Sequence, residues 1–423
     1  MKDRSRLRVR VGILLAAAGL AAWLVAVPAV GQNGPSGTQT ESVTPALARF
    51  KLVEANTQFA LDLYHALPEG SGNLFFSPYS ISTALAMAYA GARGETERQM
   101  ADALCFTLPQ DDLHGAFAAL AADLAQRVEG DEGIELAIAN ALWGQDGHPF
   151  LAEFLDQLET SYGAPLRSTD FAGAPAAACA DINAWVREMT AGRIAELLGP
   201  GSIAPDTRLV LTNAIYFLGA WKSQFNEEMT WERTFHLLDG SEISVPTMYA
   251  EDQFGYTEGA GFQACELRYS GDELSMVILL PNEKTFEAFE ADLDAVKLSG
   301  ILGRMGLWKV HLSMPRFELS SEFSLSSTLA QLGMADAFSG SADFSGMDGG
   351  RDLFIDDVVH KAFVSVTEEG TEAAAATAVV MRSSIRRVPY FTMRINRPFL
   401  FLIRDRETGT ILFMGRVTDP RAG

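Results

Sequence analysis

The sequence predicts a single large domain of the α+β class. Segments with helical periodicity alternate along the chain with segments of strand-like pattern, and the last strands are almost continuously apolar. The chain has 423 residues, of which 48% are hydrophobic, so it can bury a large core. No proline- or serine-rich linker, charge block or repeat divides residues 50–417. We therefore expect one mixed domain there rather than two or three.

Two helices are predicted near the start of this domain. The first covers residues 50–67, where apolar side chains recur at steps of three and four until Pro68 ends the pattern. The second begins at Pro78, since proline is favoured in a first helical turn. Ser77 and Ser80 lie at the start of this nearly apolar helix. Their hydroxyl groups are therefore expected to be buried and hydrogen-bonded, one of them as the N-cap.

Strands and a further helix follow. Residues 134–143 alternate like a strand, and residues 181–198 have a helical pattern that ends at Gly199 and Pro200. Residues 399–405 and 409–417 predict a C-terminal hairpin, and because both strands are nearly all apolar, we expect them in the core.

An alanine-rich stretch at residues 368–380 is the least ordinary part of the sequence. It has no apolar stripe at helical spacing, but at a period of two Thr371, Ala373, Ala375 and Thr377 share one face, and all are small. A strand with such a face fits between two strands of an existing sheet without overpacking the layer beneath. The alternative is a flexible linker or a frayed helix.

Composition excludes several functions. The formal net charge of -21 repels phosphate backbones, so no nucleic-acid partner is expected. The three cysteines (Cys105, Cys179 and Cys265) are widely spaced and odd in number, which predicts neither a disulfide framework nor a zinc site. The six histidines show no metal-ligand spacing, and no nucleophile elbow, zinc-protease motif or phosphate loop occurs. We therefore expect no enzyme activity, no metal and no cofactor; an exported hydrolase would lack any supporting motif.

The N-terminus has the pattern of an export signal. Basic residues precede an apolar run at residues 11–27, and small residues follow near Ala29 and Gly31. We expect a signal peptide at residues 1–31 and a flexible linker at residues 32–46. An uncleaved membrane anchor is the alternative, and only then would the chain contact a membrane. Either way the body is expected outside the cytoplasm, secreted to the extracellular space or periplasm.

Between residues 50 and 417 the chain resembles the serpins, a family of serine protease inhibitors. The resemblance rests on the stretch at residues 368–380 and on four segments outside it. They are residues 73–82, 211–217 and 357–361 and the C-terminal hairpin with Arg397-Pro398-Phe399 before it. It implies a serpin domain at residues 47–423, with a large central, mostly antiparallel sheet, further sheets, eight to nine helices and an exposed reactive loop at about residues 368–394.

The resemblance also implies site residues. A polar cluster called the shutter, beneath the centre of the main sheet, corresponds to Ser77, Ser80, Asn213 and His360. Trp221 corresponds to the breach, where the loop first enters that sheet. The hinge of the loop corresponds to Glu369, Gly370, Thr371, Glu372, Ala373, Ala374, Ala375, Ala376 and Thr377.

The implied function is suicide inhibition by a monomeric protein. A target serine protease attacks the loop, forms an acyl-enzyme and is carried away as the loop inserts into the main sheet. Fourteen positions after Gly370 the reactive bond is Ser384–Ile385, which suits an elastase-like protease. Counting back from Arg397 points to Arg387 instead, and Arg382, Arg386 or Arg387 would suit a trypsin-like one. Cysteine proteases are a further target class. The alternative function is a non-inhibitory serpin-like binding or chaperone protein.

Overall fold

The computed structural model describes residues 43–67, 72–131, 133–371 and 390–422. In these residues ten α-helices and fifteen β-strands form, numbered here in chain order. The helices are α1 Pro45–Ala66, α2 Pro78–Tyr89, α3 Gly94–Ala103, α4 Gln110–Val128, α5 Ala152–Tyr162, α6 Pro175–Met189, α7 Phe286–Ala291, α8 Ala295–Leu302, α9 Ser326–Leu329 and α10 Ser345–Asp348. The count exceeds the predicted eight to nine because α9 and α10 are single turns of four residues.

The strands build two sheets. They are β1 Leu74–Phe76, β2 Ile134–Gln145, β3 Arg167–Thr169, β4 Leu209–Ala220, β5 Trp231–His236, β6 Glu242–Gly259, β7 Phe262–Arg268, β8 Leu274–Pro281, β9 Gly306–Pro315, β10 Phe317–Ser324, β11 Val358–Val366, β12 Gly370–Thr371, β13 Tyr390–Arg394, β14 Phe399–Asp405 and β15 Ile411–Val417. The six-stranded sheet has the order β10-β11-β12-β4-β2-β3, and the nine-stranded sheet has the order β1-β15-β14-β8-β7-β6-β9-β13, with β5 on β6.

The six-stranded sheet is mostly antiparallel, as predicted. Only β2 with β3 and β4 with β11 run parallel. In the nine-stranded sheet β14 and β15 form the predicted C-terminal hairpin, and every residue of both strands except the two arginines is buried. The α+β class and the single-domain prediction are confirmed.

Strand β4 separates two layers of the core. Leu209, Leu211, Ile215 and Phe217 face the main core, which contains α2 and the nine-stranded sheet. Val210 and Ala214 face a second, smaller core beneath α6. The two faces alternate because successive side chains of a strand point to opposite sides.

Helix α1 begins earlier than predicted. Its N-cap is Thr44, whose hydroxyl accepts a hydrogen bond from the Leu47 amide at 3.4 Å, and Pro45 occupies the first turn. The predicted start at residue 50 was therefore wrong, and the last residues of the predicted linker 32–46 belong to the helix. The start signal is the Thr-Pro pair, which precedes the first apolar repeat.

Helix α6 ends nine residues earlier than predicted. Gly192 turns the chain at φ 81° and donates its amide hydrogen to the Arg187 carbonyl at 2.7 Å. Leu197 and Leu198 are buried beyond this turn in irregular backbone, where the Asn183 side-chain oxygen accepts hydrogen bonds from both of their amides. The side chain of one helix residue thus replaces the helical bonds that periodicity predicted.

Several predicted features lie outside the described residues. They are the signal peptide, all of the linker before residue 43, and the loop residues 372–389, which include Glu372–Thr377 of the hinge, Arg382, Ser384, Ile385, Arg386 and Arg387. Among the residues that are described, no helix combines the length and the hydropathy needed to cross a bilayer. The three cysteines are free thiols.

Candidate functional site

A short hairpin at the end of β11 begins the candidate site. The chain leaves β11 at Val366, turns at Thr367–Glu369 and returns as β12, with the Thr367 amide donating to the Gly370 carbonyl at 2.8 Å. Strand β12 pairs antiparallel with β11 through Thr371 and Val366, and with β4 through Gly370 and Ala220. Two residues of the predicted hinge therefore already lie between the two central strands. We call residues 367–371 the hinge turn.

Below the hinge turn the two central strands contact each other directly. Residues 358–363 of β11 pair in parallel with residues 211–216 of β4, and we call this pairing the seam. The seam ends at Phe363 and Tyr216, three residues before Val366 and Gly219, which flank β12. At this end of the sheet the hinge turn lies between the two central strands.

Gly370 is required where it lies. A Cβ atom at this position would stand 2.1 Å from the Gly219 carbonyl oxygen and 2.7 Å from the Ala220 Cα atom. Backbone atoms at those distances cannot be relieved by a rotamer change, so only glycine lets the hinge turn approach β4 this closely.

The side chain of Thr371 is fully buried on the core-facing side of the sheet. Its hydroxyl group shares a 2.8 Å hydrogen bond with the Tyr269 hydroxyl, and burial raises the pKa of Tyr269. The Tyr269 ring in turn stacks on Trp221, with centroids 4.6 Å apart and planes 12° apart. The Trp221 indole donates to the Thr367 carbonyl at 3.0 Å, and its backbone amide donates to the Glu369 carbonyl at 2.9 Å. Trp221 therefore holds both sides of the hinge turn.

Glu368 anchors the hinge turn by charge. Its carboxylate is almost fully buried and accepts hydrogen bonds from Arg316, at 2.6 Å from Nη2 and 2.8 Å from Nε. The Thr230 hydroxyl donates to the same oxygen. Two nitrogen atoms of one guanidinium contact the buried carboxylate, and hydrogen bonds between charged groups are stronger than those between neutral groups. Removal of Arg316 would leave the buried carboxylate without a compensating charge.

Asn213 and His360 face each other across the seam. They are register partners, and both are fully buried. The His360 Nε2 atom accepts a hydrogen bond from the Ser77 amide at 3.2 Å, so the ring proton resides on Nδ1 and is donated to the Asn213 side-chain oxygen. Burial lowers the pKa of His360 to about 3, and a second ring proton would also point at the Ser77 N–H. The histidine is neutral and joins the two strands.

The remaining shutter residues tie the seam to α2. Ser77 caps α2, accepting from the Ser80 amide at 3.1 Å and donating to the Leu412 carbonyl at 2.6 Å. The Asn213 amide group donates to the Ser80 hydroxyl at 2.7 Å and to the Asn140 oxygen at 2.6 Å. The Ser80 hydroxyl also donates to Asn140, at 2.9 Å. These donors set the orientation of Asn213, which leaves its oxygen free to accept from His360.

The comparisons with known proteins agree with this geometry. Residues 54–420 match the family model described as serpin (serine protease inhibitor). The chain belongs to the serpin family. It is 43% identical to the human leukocyte elastase inhibitor over 384 residues, which are 88% of this chain and the whole of that protein. An uncharacterized serpin-like protein of Thermococcus kodakarensis is also 43% identical, over 88% of this chain and 86% of its own length.

Solved serpin structures have the same fold. Human thyroxine-binding globulin superposes with a TM-score of 0.80 at 30% identity, over 88% of this chain and all of that chain.

The structure gathers the predicted serpin residues into two groups. Ser77, Ser80, Asn213 and His360 meet at the seam, and Trp221, Glu369, Gly370 and Thr371 meet at the hinge turn. The other hinge residues and all candidates for the reactive bond lie outside the described part of the chain.

Four contributing residues were missed at the sequence level, namely Asn140, Tyr269, Arg316 and Glu368. Asn140 had a usable signal, because it is an amide side chain inside the apolar run of β2. Glu368 directly precedes the predicted hinge. Tyr269 and Arg316 carried no local signal, since each meets the hinge turn only through the tertiary fold.

Proposed function

We propose that this serpin is a secreted suicide inhibitor of serine proteases and has no enzyme activity of its own. The observation that carries the proposal is the position of the hinge turn, with Gly370 and Thr371 already between β4 and β11. The N-terminal pattern at residues 1–31 is the basis for proposing export.

The chemistry is supplied by the target. The protease serine attacks the carbonyl carbon of the reactive bond, an ester forms to the loop, and the amine of the next residue leaves with the C-terminal part of the chain. The freed loop then extends β12 through the seam and carries the acylated protease with it before water hydrolyses the ester. Insertion therefore has to be faster than deacylation.

The free energy that drives insertion comes from replacing the seam with a new strand. Six parallel residue pairs are lost, and the inserted strand forms antiparallel ladders with both β4 and β11. Antiparallel pairing is slightly more stable per residue, and two ladders replace one. The native state is kinetically trapped, because the seam must open before either ladder can grow.

The register of β12 predicts where each hinge residue goes. Thr371 pairs with Gly219 and Val366, so two-residue steps bring Ala373 and Ala375 onto the core-facing side and Thr377 between Asn213 and His360. Small side chains are needed on this face because α2 lies beneath it. Thr377 supplies a hydroxyl group to the two shutter residues that insertion separates.

The same register supports Ser384–Ile385 as the reactive bond. The first residue of β4, Leu209, is the partner of residue 381, so Ser384 lies three residues beyond the end of the ladder and Arg387 lies six. With cleavage after Ser384, fewer unpaired residues separate the end of the ladder from the ester, so the acylated protease is held closer to the end of the sheet. A serine before the cleaved bond suits an elastase-like, small-pocket enzyme, and the relative named as an elastase inhibitor supports that target class.

The test is incubation with pancreatic elastase and with trypsin. We expect a covalent complex that survives denaturant with elastase, and a released C-terminal peptide that begins at Ile385 by mass spectrometry. A peptide that begins after Arg386 or Arg387 would transfer the reactive bond to those residues. Clean cleavage without any complex would contradict inhibition.

Thr371→Arg is the matched variant. Thr371 is already buried against Tyr269, where a guanidinium cannot be held, so the arginine keeps β12 out of the sheet, the loop cannot insert and the ester is hydrolysed. We expect cleavage at the same bond with loss of the complex, while Thr371→Ser still inhibits. Equal trapping by the arginine variant would contradict the hinge assignment.

The second candidate is a non-inhibitory binding protein, which the likeness to thyroxine-binding globulin favours. Such a protein does not require loop insertion. The hinge argues against it here, since Thr371, Ala373, Ala375 and Thr377 include no proline, charge or bulky side chain.

A further inference from the structure

Four basic side chains lie together at one end of the strands β7, β8 and β14. Arg268 on β7 and Arg404 on β14 are both register partners of Ser275 on β8, so they flank it on the same face of the sheet. Arg406 lies two residues beyond Arg404, and residues two apart along an extended chain point to the same side. The Lys222 amide donates to the Arg268 carbonyl at 2.9 Å. We call Lys222, Arg268, Arg404 and Arg406 the basic cluster.

Two acidic residues connect the members of the basic cluster. The Asp272 carboxylate accepts hydrogen bonds from Lys222 and, at 3.3 Å, from Arg268. The Asp272 backbone carbonyl accepts from Arg406 Nη1 at 2.6 Å. All three of these basic side chains therefore meet at the turn between β7 and β8.

Glu266 is the second acidic residue. Its carboxylate is almost fully buried and accepts from Arg404 Nη2 at 2.8 Å, and the Arg406 Nε atom is 3.6 Å from the same oxygen. Four positive charges thus share one connected group of contacts with two carboxylates, which leaves a local charge of +2 in a chain whose total is -21. Such a local excess attracts anions.

The acidic residues beside the basic cluster in the sequence belong to another group of contacts. Glu273, Asp405 and Glu407 are all ion-paired with Arg127 of α4. Asp405 points away from its neighbours Arg404 and Arg406, because successive residues of a strand face opposite sides of the sheet. The sheet therefore separates this acidic group from the basic cluster.

The three guanidinium groups have more donors than the protein uses. Each carries five N–H bonds, and each donates one hydrogen bond to the part of the chain that the structure describes. The side chains of Arg268, Arg404 and Arg406 are 31%, 16% and 27% exposed, so an acceptor can reach the ends of the guanidinium groups from solvent. Planar guanidinium groups pair best with the oxygens of carboxylate or phosphate.

We propose that the basic cluster binds a small, doubly charged oxyanion of the phosphate or sulfate kind. Arg268 and Arg404 are two strands apart, about 10 Å between Cα atoms, which places one tetrahedral anion within reach of both side chains. Lys222 adds a point charge from the exposed side. The total charge of -21 repels long polyanions, so a small anion fits this protein better than a polymer does.

The site lies next to residues that support the hinge turn. Lys222 directly follows Trp221, and Arg268 directly precedes Tyr269. Trp221 and Tyr269 are joined by an antiparallel bridge as well as by their stacked rings. An anion held by Lys222 and Arg268 therefore links the two backbone segments from which these rings project, and we expect its binding to stabilise the folded protein.

The experiment is calorimetric titration of the whole protein with sodium phosphate near neutral pH, with sodium chloride keeping the ionic strength constant. Arg268→Gln removes a guanidinium from the basic cluster. Arg351→Gln is its control, because it removes one positive charge from a side chain that is 75% exposed and paired with Asp343.

A second variant should change the affinity in the opposite direction. Asp272→Asn removes the carboxylate that competes for Lys222 and Arg268, and asparagine tolerates the backbone φ of 70° at this position. Asp239→Asn is its control, because Asp239 lies in a turn where it accepts hydrogen bonds from Ser241.

We expect saturable binding of phosphate at one site. Arg268→Gln should weaken it about tenfold, as for the loss of one charge-assisted hydrogen bond, and Asp272→Asn should tighten it about threefold. Both controls should stay within twofold of the unchanged protein. Phosphate should raise the Tm of the unchanged protein above that in chloride, and the rise should be smaller for Arg268→Gln.

Three results would overturn the proposal. They are a titration without saturation, an affinity that Arg268→Gln leaves unchanged, and an affinity that Asp272→Asn does not raise, since a purely structural ion-pair network predicts the last two. Tripolyphosphate that binds over a hundredfold more tightly than phosphate would overturn the assignment to a single small anion. None of these measurements involves the reactive loop, so their outcome is independent of protease inhibition.

Discussion

Asn213 and His360 show how single residues control the seam. Each has one partner across the seam and others on α2 or β2, so opening the seam breaks one hydrogen bond and leaves the rest of the cluster in place. The buried groups then need a new partner, because an unpaired buried donor or acceptor costs about 1–3 kcal/mol.

At the residue scale we predict a dependence of stability on pH that arises from His360. Burial lowers its pKa in the folded chain to about 3 from an ordinary value of 6.5. Between these values the unfolded chain binds one more proton, so the free energy of unfolding falls as the pH falls through this window and is unaffected above it. The slope is up to about 1.4 kcal/mol per pH unit.

Thermal unfolding of the protein and of His360→Gln between pH 7.5 and 4.5 measures this slope. The variant should lose the part of the pH dependence that one proton contributes. His114 contributes a similar share, because burial lowers its pKa to about 4. Identical slopes for the unchanged protein and His360→Gln would contradict the neutral-histidine assignment.

At the scale of elements, β11, the hinge turn and β12 form the start of a longer hairpin. Strand β12 has only two residues in place, and its extension replaces the parallel seam. Every second residue of the extension faces the core, so each core-facing hinge residue packs against a different part of the layer beneath the sheet.

Thr377→Val tests the predicted register. Valine has the shape of threonine but no hydroxyl group, so Asn213 and His360 would be left unpaired after insertion. We expect association with elastase at the normal rate, but more inhibitor cleaved per protease trapped. Thr377→Ser should behave like the unchanged protein. If valine traps as efficiently as threonine, Thr377 does not reach the shutter.

At the scale of the whole molecule the proposal requires a native state that is less stable than its cleaved product. We expect cleavage at Ser384–Ile385 to raise the Tm by at least about 10 °C, because the inserted strand adds some ten residues of paired backbone. Scanning calorimetry before and after limited proteolysis measures this. Cleaved Thr371→Arg should show no rise, and an unchanged Tm in the cleaved parent would exclude insertion.

The sequence predicted the elements whose signal is local and periodic. The C-terminal hairpin, the start of α2 at Pro78 and the single α+β domain follow from apolar runs and from proline positions. Boundaries failed where a side chain competes with the backbone, as Asn183 does beyond the end of α6, or where a cap precedes the apolar pattern, as Thr44 does for α1.

The sequence by itself determined that one face of the hinge carries only small side chains, which polar residues form the shutter, and the family to which the chain belongs. Tertiary structure alone decided that Thr371 lies under the sheet against Tyr269, that Glu368 is held by Arg316, and that Asn140 completes the shutter. The physical reason is that composition and spacing specify which side chains are available, whereas hydrogen bonds between distant residues depend on the register of strands that only the folded sheets define.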